Sequence, residues 1–262
     1  MLRIAGQDLD PKLVVLDKDG TLITFDTLWH AWFNAWQAAL GARIPMDDVL
    51  RGAISETLGV DSTSGVWDPL GPLTLASTTE VGLLLAGLLY RYHGTPWSEA
   101  LGVVEGAERV ARTHIGTHDL VQPIGDVRGL LQRFHDAGLR VALVTTDERF
   151  STEQSLESLG LISLIDTMVC GSDGIPLKPA PDAGLEVCRR MGVSPAAAIM
   201  VGDTIADMAM ARRAGFAWAV GVTSGALSGE ALASYADMVI PSIHAIEIVA
   251  GSDGHVKGEF RA

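Results

Sequence analysis

A chain of 262 residues is longer than one average domain, with room for a core domain and a smaller one inserted into it. Its 19 Lys and Arg against 32 Asp and Glu give a net charge of −13, which argues against nucleic acid and anionic membrane surfaces as partners. Any anionic ligand must then be held by local positive groups. Cys170 and Cys188 fall in separate elements without metal-ligand spacing, so they read as buried free thiols in a reducing compartment. The first residues carry no apolar signal core, and the richest apolar run, residues 81–90, is too short to span a bilayer and is flanked by Glu80 and Arg91. A soluble cytoplasmic protein is expected.

Leu13-Val14-Val15-Leu16 reads as a strand buried on both faces, and it ends in Asp17-Lys18-Asp19-Gly20-Thr21. Alternation points Asp17 and Asp19 the same way unless the chain breaks at Asp19, leaving room for a cation or phosphate between them. An EF-hand calcium loop is disfavoured, because an apolar strand precedes the motif and Thr21-Leu22-Ile23 follows its glycine. Residues 24–116 then show helical patterns. Asp26 or Thr27 can cap a helix ending near Gly41, and further helices are predicted at about 46–58, 79–92 and 97–114. Trp29, Trp32 and Trp36 fall on one face of the first of these, a stripe that reads as core packing rather than substrate contact.

Strand and helix alternate afterwards. Asp126 caps a helix stopped by Gly138; Val141–Val144 is a strand ending in Thr145-Thr146-Asp147; Ser151 with Gln154 forms a capping box for a helix stopped by Gly160. Residues 167–170 are a strand, and Lys178-Pro179-Ala180-Pro181-Asp182 opens a helix. The strand at 198–201 ends in Gly202-Asp203-Thr204, a helix runs through Arg213, and strands at 216–222 and 238–240 complete an α/β fold with a doubly wound parallel, Rossmann-like sheet. The predicted division is a catalytic core at 1–24 and 116–262 around an α-helical cap at 25–115.

Ligands of open α/β sheets bind outside the carboxyl ends of the strands, where Asp17, Asp19, Thr145 and Asp203 lie, with Lys178 at a helix start on the same side. Mg²⁺ prefers oxygen ligands and binds one or two carboxylates plus a substrate phosphate. Asp17, Asp203 and the backbone carbonyl of Asp19 suit it, and Asp207, one helical turn past Asp203, reaches the same cation directly or through water. With phosphate charge offset by the metal and Lys178, Asp17 can attack phosphorus and form an aspartyl-phosphate. Asp19 would protonate the leaving oxygen and then activate water. Thr145 would hold a phosphoryl oxygen; Thr146 either does the same or finishes the strand.

These residues carry a resemblance. Asp17-Lys18-Asp19-Gly20-Thr21, Thr145, Lys178 with Pro-Ala-Pro-Asp, and Gly202-Asp203-Thr204-Ile205-Ala206-Asp207 match, in order, the four motifs of the haloacid dehalogenase (HAD) superfamily, and the chain resembles its phosphoglycolate phosphatase and β-phosphoglucomutase-like branch. The resemblance implies Asp17 as nucleophile, Asp19 as acid and base, Thr145 and Lys178 on the phosphate, Asp203 and Asp207 at Mg²⁺, and a helical cap that selects the substrate. An acid at position 19 favours phosphoryl transfer over carbon–halogen hydrolysis. Lys18 replaces an apolar or aromatic residue of many relatives and reads as structural, pointing away from Asp17.

The expected activity is Mg²⁺-dependent hydrolysis of a small phosphate monoester, phosphoglycolate-like or a sugar phosphate, with a phosphomutase or a non-catalytic phospho-ligand binding protein as alternatives. The expected partner is a small phosphorylated metabolite, with no nucleic acid and no membrane, and the chain a monomer or homodimer. His114 and His118 have metal-ligand spacing, but Gly116 lies between them and a hinge is the better reading. Asp147 reads as a cap, and Arg91, His93 and Trp97 as exposed helix-end residues.

Overall fold

A computed structural model describes residues 1–115 and 120–249. In chain order the strands are β1 (Leu2–Ile4), β2 (Gln7–Leu9) and β3 (Leu13–Leu16). Five helices follow: α1 (Phe25–Gly41), α2 (Asp48–Leu58), α3 (Pro72–Leu75), α4 (Thr78–Leu88), which continues as a π-turn to His93, and α5 (Trp97–Ile115). Then come α6 (Val127–Asp136), β4 (Arg140–Val144), α7 (Arg149–Ser158), β5 (Thr167–Val169), α8 (Asp182–Met191), β6 (Ala198–Gly202), α9 (Ile205–Ala214), β7 (Trp218–Val222), α10 (Gly229–Ala233), β8 (Met238–Ile240) and β9 (Glu247–Ile248).

The main sheet is parallel throughout, in the order β5-β4-β3-β6-β7-β8. Each side chain of β3 is buried because alternate residues feed different layers: Val14 and Leu16 pack with Leu130 and Phe134 on one face, Leu13 and Val15 with Val187 and Met208 on the other. Leu16 lies level with Leu143 of β4 and Val201 of β6, so three strands end together. Asp17, Thr145 and Asp203 therefore emerge side by side.

Helices α1 to α5 enclose their own apolar cluster, centred on Trp32, Trp36, Leu50, Leu85 and Val104. The chain enters and leaves this layer along two paired linkers. Thr24 N–H donates to the Gln122 carbonyl and Ile124 N–H to the Leu22 carbonyl, each at 2.9 Å.

Several local expectations need correction. The helix expected to be capped by Asp26 or Thr27 begins at Phe25, with Thr24 at its cap position. Ser151 lies inside α7 and its hydroxyl donates to Asp147 Oδ1 at 2.9 Å, so no capping box with Gln154 forms. The helix after Lys178 starts only at Asp182. A second, antiparallel sheet, β2-β1-β9, was not expected; its hairpin turns at Ala5 and Gly6, both with positive φ. Among the described residues no helix is long and apolar enough to cross a membrane.

Candidate active site

β3 stops at Leu16, and the next residues turn back sharply: Leu22 N–H and Ile23 N–H both donate to the Lys18 carbonyl, and Gly20 N–H donates to the Ile23 carbonyl at 2.7 Å. Gly20 adopts φ +75°, and a Cβ there would overlap the Asp203 carboxylate. The fold-back separates the two acids of the motif. Asp17 faces Lys178 and Asp207, whereas Asp19 faces Lys18. Lys178 Nζ lies 2.6 Å from both Asp17 Oδ1 and Asp207 Oδ1. Asp207 is held on its other oxygen by the hydroxyl of Thr204, the N-cap of α9, at 2.6 Å.

Asp17, Asp203 and Asp207 present carboxylate oxygens within 4.8 Å of one another, all buried. Burial pushes the Asp17 carboxyl up to about 7, with Asp207 and Asp19 adding repulsion that Lys178 opposes. Burial, then Asp17 and Asp207, likewise raise Asp203 well above the ordinary carboxylate value. Asp203 Oδ2 accepts from Ala226 N–H at 2.8 Å, but its Oδ1 is buried without a hydrogen-bond partner. Mutually repelling carboxylates and an orphaned buried acceptor suit a hard, oxygen-seeking cation, so this donor set fits Mg²⁺. The Asp19 carboxylate stands outside the cluster, leaving its backbone carbonyl as the group expected to serve a metal.

Lys18 is completely buried, and its ammonium contacts Asp19 Oδ2 at 2.8 Å and Asp147 Oδ2 at 3.1 Å. Burial alone would lower its pKa; the charges of Asp19 and Asp147 outweigh that and raise it. Burial raises the Asp19 carboxyl against the pull of Lys18. Lys18 does turn from Asp17, as expected, but it ties the presumptive acid to the end of β4. Asp147 is more than a cap: besides Lys18, it accepts from Glu148 N–H and the Ser151 hydroxyl.

Thr145 and Thr146 line the same cavity of about 50 Å³ as Asp17, Asp19, Lys178 and Asp203. Thr145 is buried, and its Oγ1 accepts from Asp147 N–H at 3.1 Å, which leaves its proton free for a phosphoryl oxygen. The roof comes from α1, α3 and α4. Trp36 is core, with its indole N–H donating to the Val104 carbonyl at 3.2 Å. Trp32 serves both the core and the cavity. Trp29 packs against the edge of the helical core, as expected, and also lines the cavity, with its indole nitrogen facing Asp19.

Arg91, His93 and Trp97 are exposed and away from this cavity. His118 lies outside the described residues, as do Gly116 and the tail from Gly251. Cys170 and Cys188 are buried free thiols, both pushed up to about 11 by burial.

The family model for haloacid dehalogenase-like hydrolases matches residues 11–215. The chain belongs to this family. The HAD chain is 38% identical over 218 residues to a probable phosphatase, IndB, of Dickeya dadantii, covering 81% of each chain. It is 34% identical over 122 residues to the phosphoglycolate phosphatase of Escherichia coli K12, a match spanning 46% of this chain and 47% of that one. Among solved structures it is similar to a predicted phosphoglycolate phosphatase from Haemophilus somnus, with TM-score 0.66, 18% identity, and 89% of this chain and 95% of that chain covered; this likeness bears on the fold. Family and phosphatase-named relatives together support a phosphoric monoester hydrolase.

Two contributors to the HAD site escaped the sequence reading. Ser224, Gly225 and Ala226, just past β7, close over Asp203 and Gly20: Ser224 Oγ donates to the Gly20 carbonyl at 2.8 Å, and a Cβ on Gly225 would overlap the Asp203 carboxylate. The strand-end rule applied to β7 points to them. The residues 73–78 that form part of the roof carry no such signal.

Proposed function

We propose that the chain is a Mg²⁺-dependent phosphatase hydrolysing a small phosphate monoester through an aspartyl-phosphate on Asp17. The observation that carries this reading is the pairing of Asp17 with Lys178 at 2.6 Å inside a buried group of carboxylates, at the aligned ends of β3, β4 and β6. An ammonium there can hold a phosphoryl oxygen while the carboxylate attacks.

Asp17 forms the new bond to phosphorus as the ester oxygen departs, and Asp19 gives that oxygen its proton. Raised by burial, Asp19 holds a proton at higher pH than a free carboxyl does. The alcohol leaves, and Asp19, now ionised, takes a proton from water attacking phosphorus, which breaks the bond to Asp17 and frees phosphate with the Asp17 carboxylate restored. Thr145 and Lys178 orient the phosphoryl oxygens. Magnesium held by Asp17, Asp203, Asp207 and the Asp19 carbonyl would offset phosphate charge and keep the nucleophile ionised. The helical layer at 25–115 acts as a cap, and the protein works in the cytoplasm on a small metabolite.

Phosphate release from a panel of phosphate monoesters with Mg²⁺ tests the reading, with Asp17→Asn alongside. The native protein should release phosphate, and the variant should lose at least about 10⁴-fold in kcat/KM. Silence of the native protein across the panel overturns the proposal. Isomerisation of a sugar phosphate without free phosphate would assign a mutase instead.

A further inference from the structure

Charge around the cavity is unevenly placed. Its floor and sides hold Asp17, Asp19, Asp147, Asp203 and Asp207 against Lys18 and Lys178, three more acids than lysines. A divalent cation and a phosphate dianion cancel each other, and even with the leaving-group proton on Asp19 the remaining acids outnumber the lysines, so an excess of negative charge persists when both are bound.

The roof offers nothing to a second anion. Phe25, Trp29, Trp32, Leu73 and Val81 supply its apolar surface, and among the described residues Lys178 is the one cation lining the cavity. That ammonium is already shared by Asp17 and Asp207. Arg112 of α5, which lines adjoining clefts, is held by Glu108 and Glu148. The start of α4, whose partial positive charge would otherwise attract an anion, is filled by Glu80, whose carboxylate accepts from both the backbone N–H and the hydroxyl of Ser77 at 2.8 Å. The Thr74 hydroxyl donates to the Asp68 carbonyl and that of Thr78 to Glu148. What remains is the neutral indole N–H of Trp29, which faces the Asp19 carboxylate.

We infer that the alcohol released from the phosphate ester is uncharged, with an apolar or aromatic face for the tryptophan roof. This rests on the phosphatase reading. It separates the substrate from phosphoglycolate, whose leaving group carries a carboxylate into an anionic cavity without a cation to meet it.

Matched substrates test it in the Mg²⁺-loaded full chain: 2-hydroxyethyl phosphate against phosphoglycolate, and 4-nitrophenyl phosphate against 4-carboxyphenyl phosphate. The uncharged member of each pair should be favoured by about 30-fold or more in kcat/KM, the scale of one unit repulsion across a partly desolvated site. Thr74→Lys, which puts a cation on the roof, should narrow that ratio at least about tenfold, a readout that altered folding alone does not move. Equal or better turnover of the carboxylate esters overturns the inference. Should no ester yield phosphate, the phosphatase reading fails, and the charge preference is read separately from binding of 3-hydroxypropylphosphonate against 2-carboxyethylphosphonate. Tighter binding of the hydroxyl compound supports the inference; equal or tighter binding of the carboxylate, or binding of neither, overturns it.

Discussion

The floor and the roof of the HAD cavity are built by different physics. On the floor the acids are held by ion pairs: Lys178 bridges two acids, Lys18 bridges two more, and a backbone N–H fixes one oxygen of Asp203. On the roof the same cavity is bounded by side chains whose first task is to fill a helical core, with Trp32 shared between core and site. A polar floor tolerates almost no substitution, because each change strands a partner. An apolar roof can be redrawn one side chain at a time while its helices stay packed.

The sharpest break in this contrast comes from Lys18→Met. Losing a fully buried ammonium leaves Asp19 and Asp147 without their counter-charge, and the destabilisation should reach about 3–5 kcal/mol by denaturant unfolding. Adding Asp147→Asn in the same background should recover part of it; strict additivity of the two changes would show that the pair does not act as a unit.

A second test uses pH. Because the folded chain raises Asp17 from 3.8 to about 7, it binds a proton through a window in which the unfolded chain has released it. Stability from this group is present at low pH and is lost as pH rises towards 7, and Asp203 acts in the same direction. Thermal melts of metal-free protein should therefore fall from about pH 5 to about pH 8, while Mg²⁺ should raise Tm more at the upper value, where no proton competes for the carboxylates. An equal Mg²⁺ effect at both would remove the acid cluster as the cation site.

The smallest effects lie on the roof. Trp36→Phe forfeits the bond to the Val104 carbonyl and leaves a void, costing about 1–3 kcal/mol with KM unchanged. Trp29→Phe changes a cavity-lining ring at the edge of the helical core and should shift KM with a stability change within about 1 kcal/mol. The reverse pattern would erase the distinction between roof and core.

These unequal behaviours explain what was legible in the sequence. The floor announces itself because a chain-buried strand ending in a carboxylate is chemically odd, and the six parallel strands recur with that punctuation at Asp17, Thr145 and Asp203. Lys18 was visible but not its partners, since alternation cannot tell where a strand stops, and the turn back at Gly20 sets which acid it meets. Trp29 and Trp36 share one helical stripe, so periodicity groups a site residue with a core residue; only the packing of α4 and α5 separates them. The small sheet β2-β1-β9 escaped because strands of two or three residues fall below any reliable alternation, and its turn uses Ala5-Gly6 rather than the usual asparagine or aspartate with glycine.

The paired linkers have a mechanical consequence. Ile23, at the entrance to the helical layer, forms one β-bridge with Pro123 of the exit linker and another with Asp19. Two tethers side by side resist twisting more than bending, so any rotation of the helical layer would be confined to one axis, as on a door. Because the inner edge of that door is bonded to the segment carrying Asp19, a rotation would drag on the proposed proton donor, while Asp17, the proposed nucleophile, is anchored to the sheet by its N–H on the Val201 carbonyl of β6. Proton delivery would then be geared to the door, and the attacking carboxylate bolted to the frame.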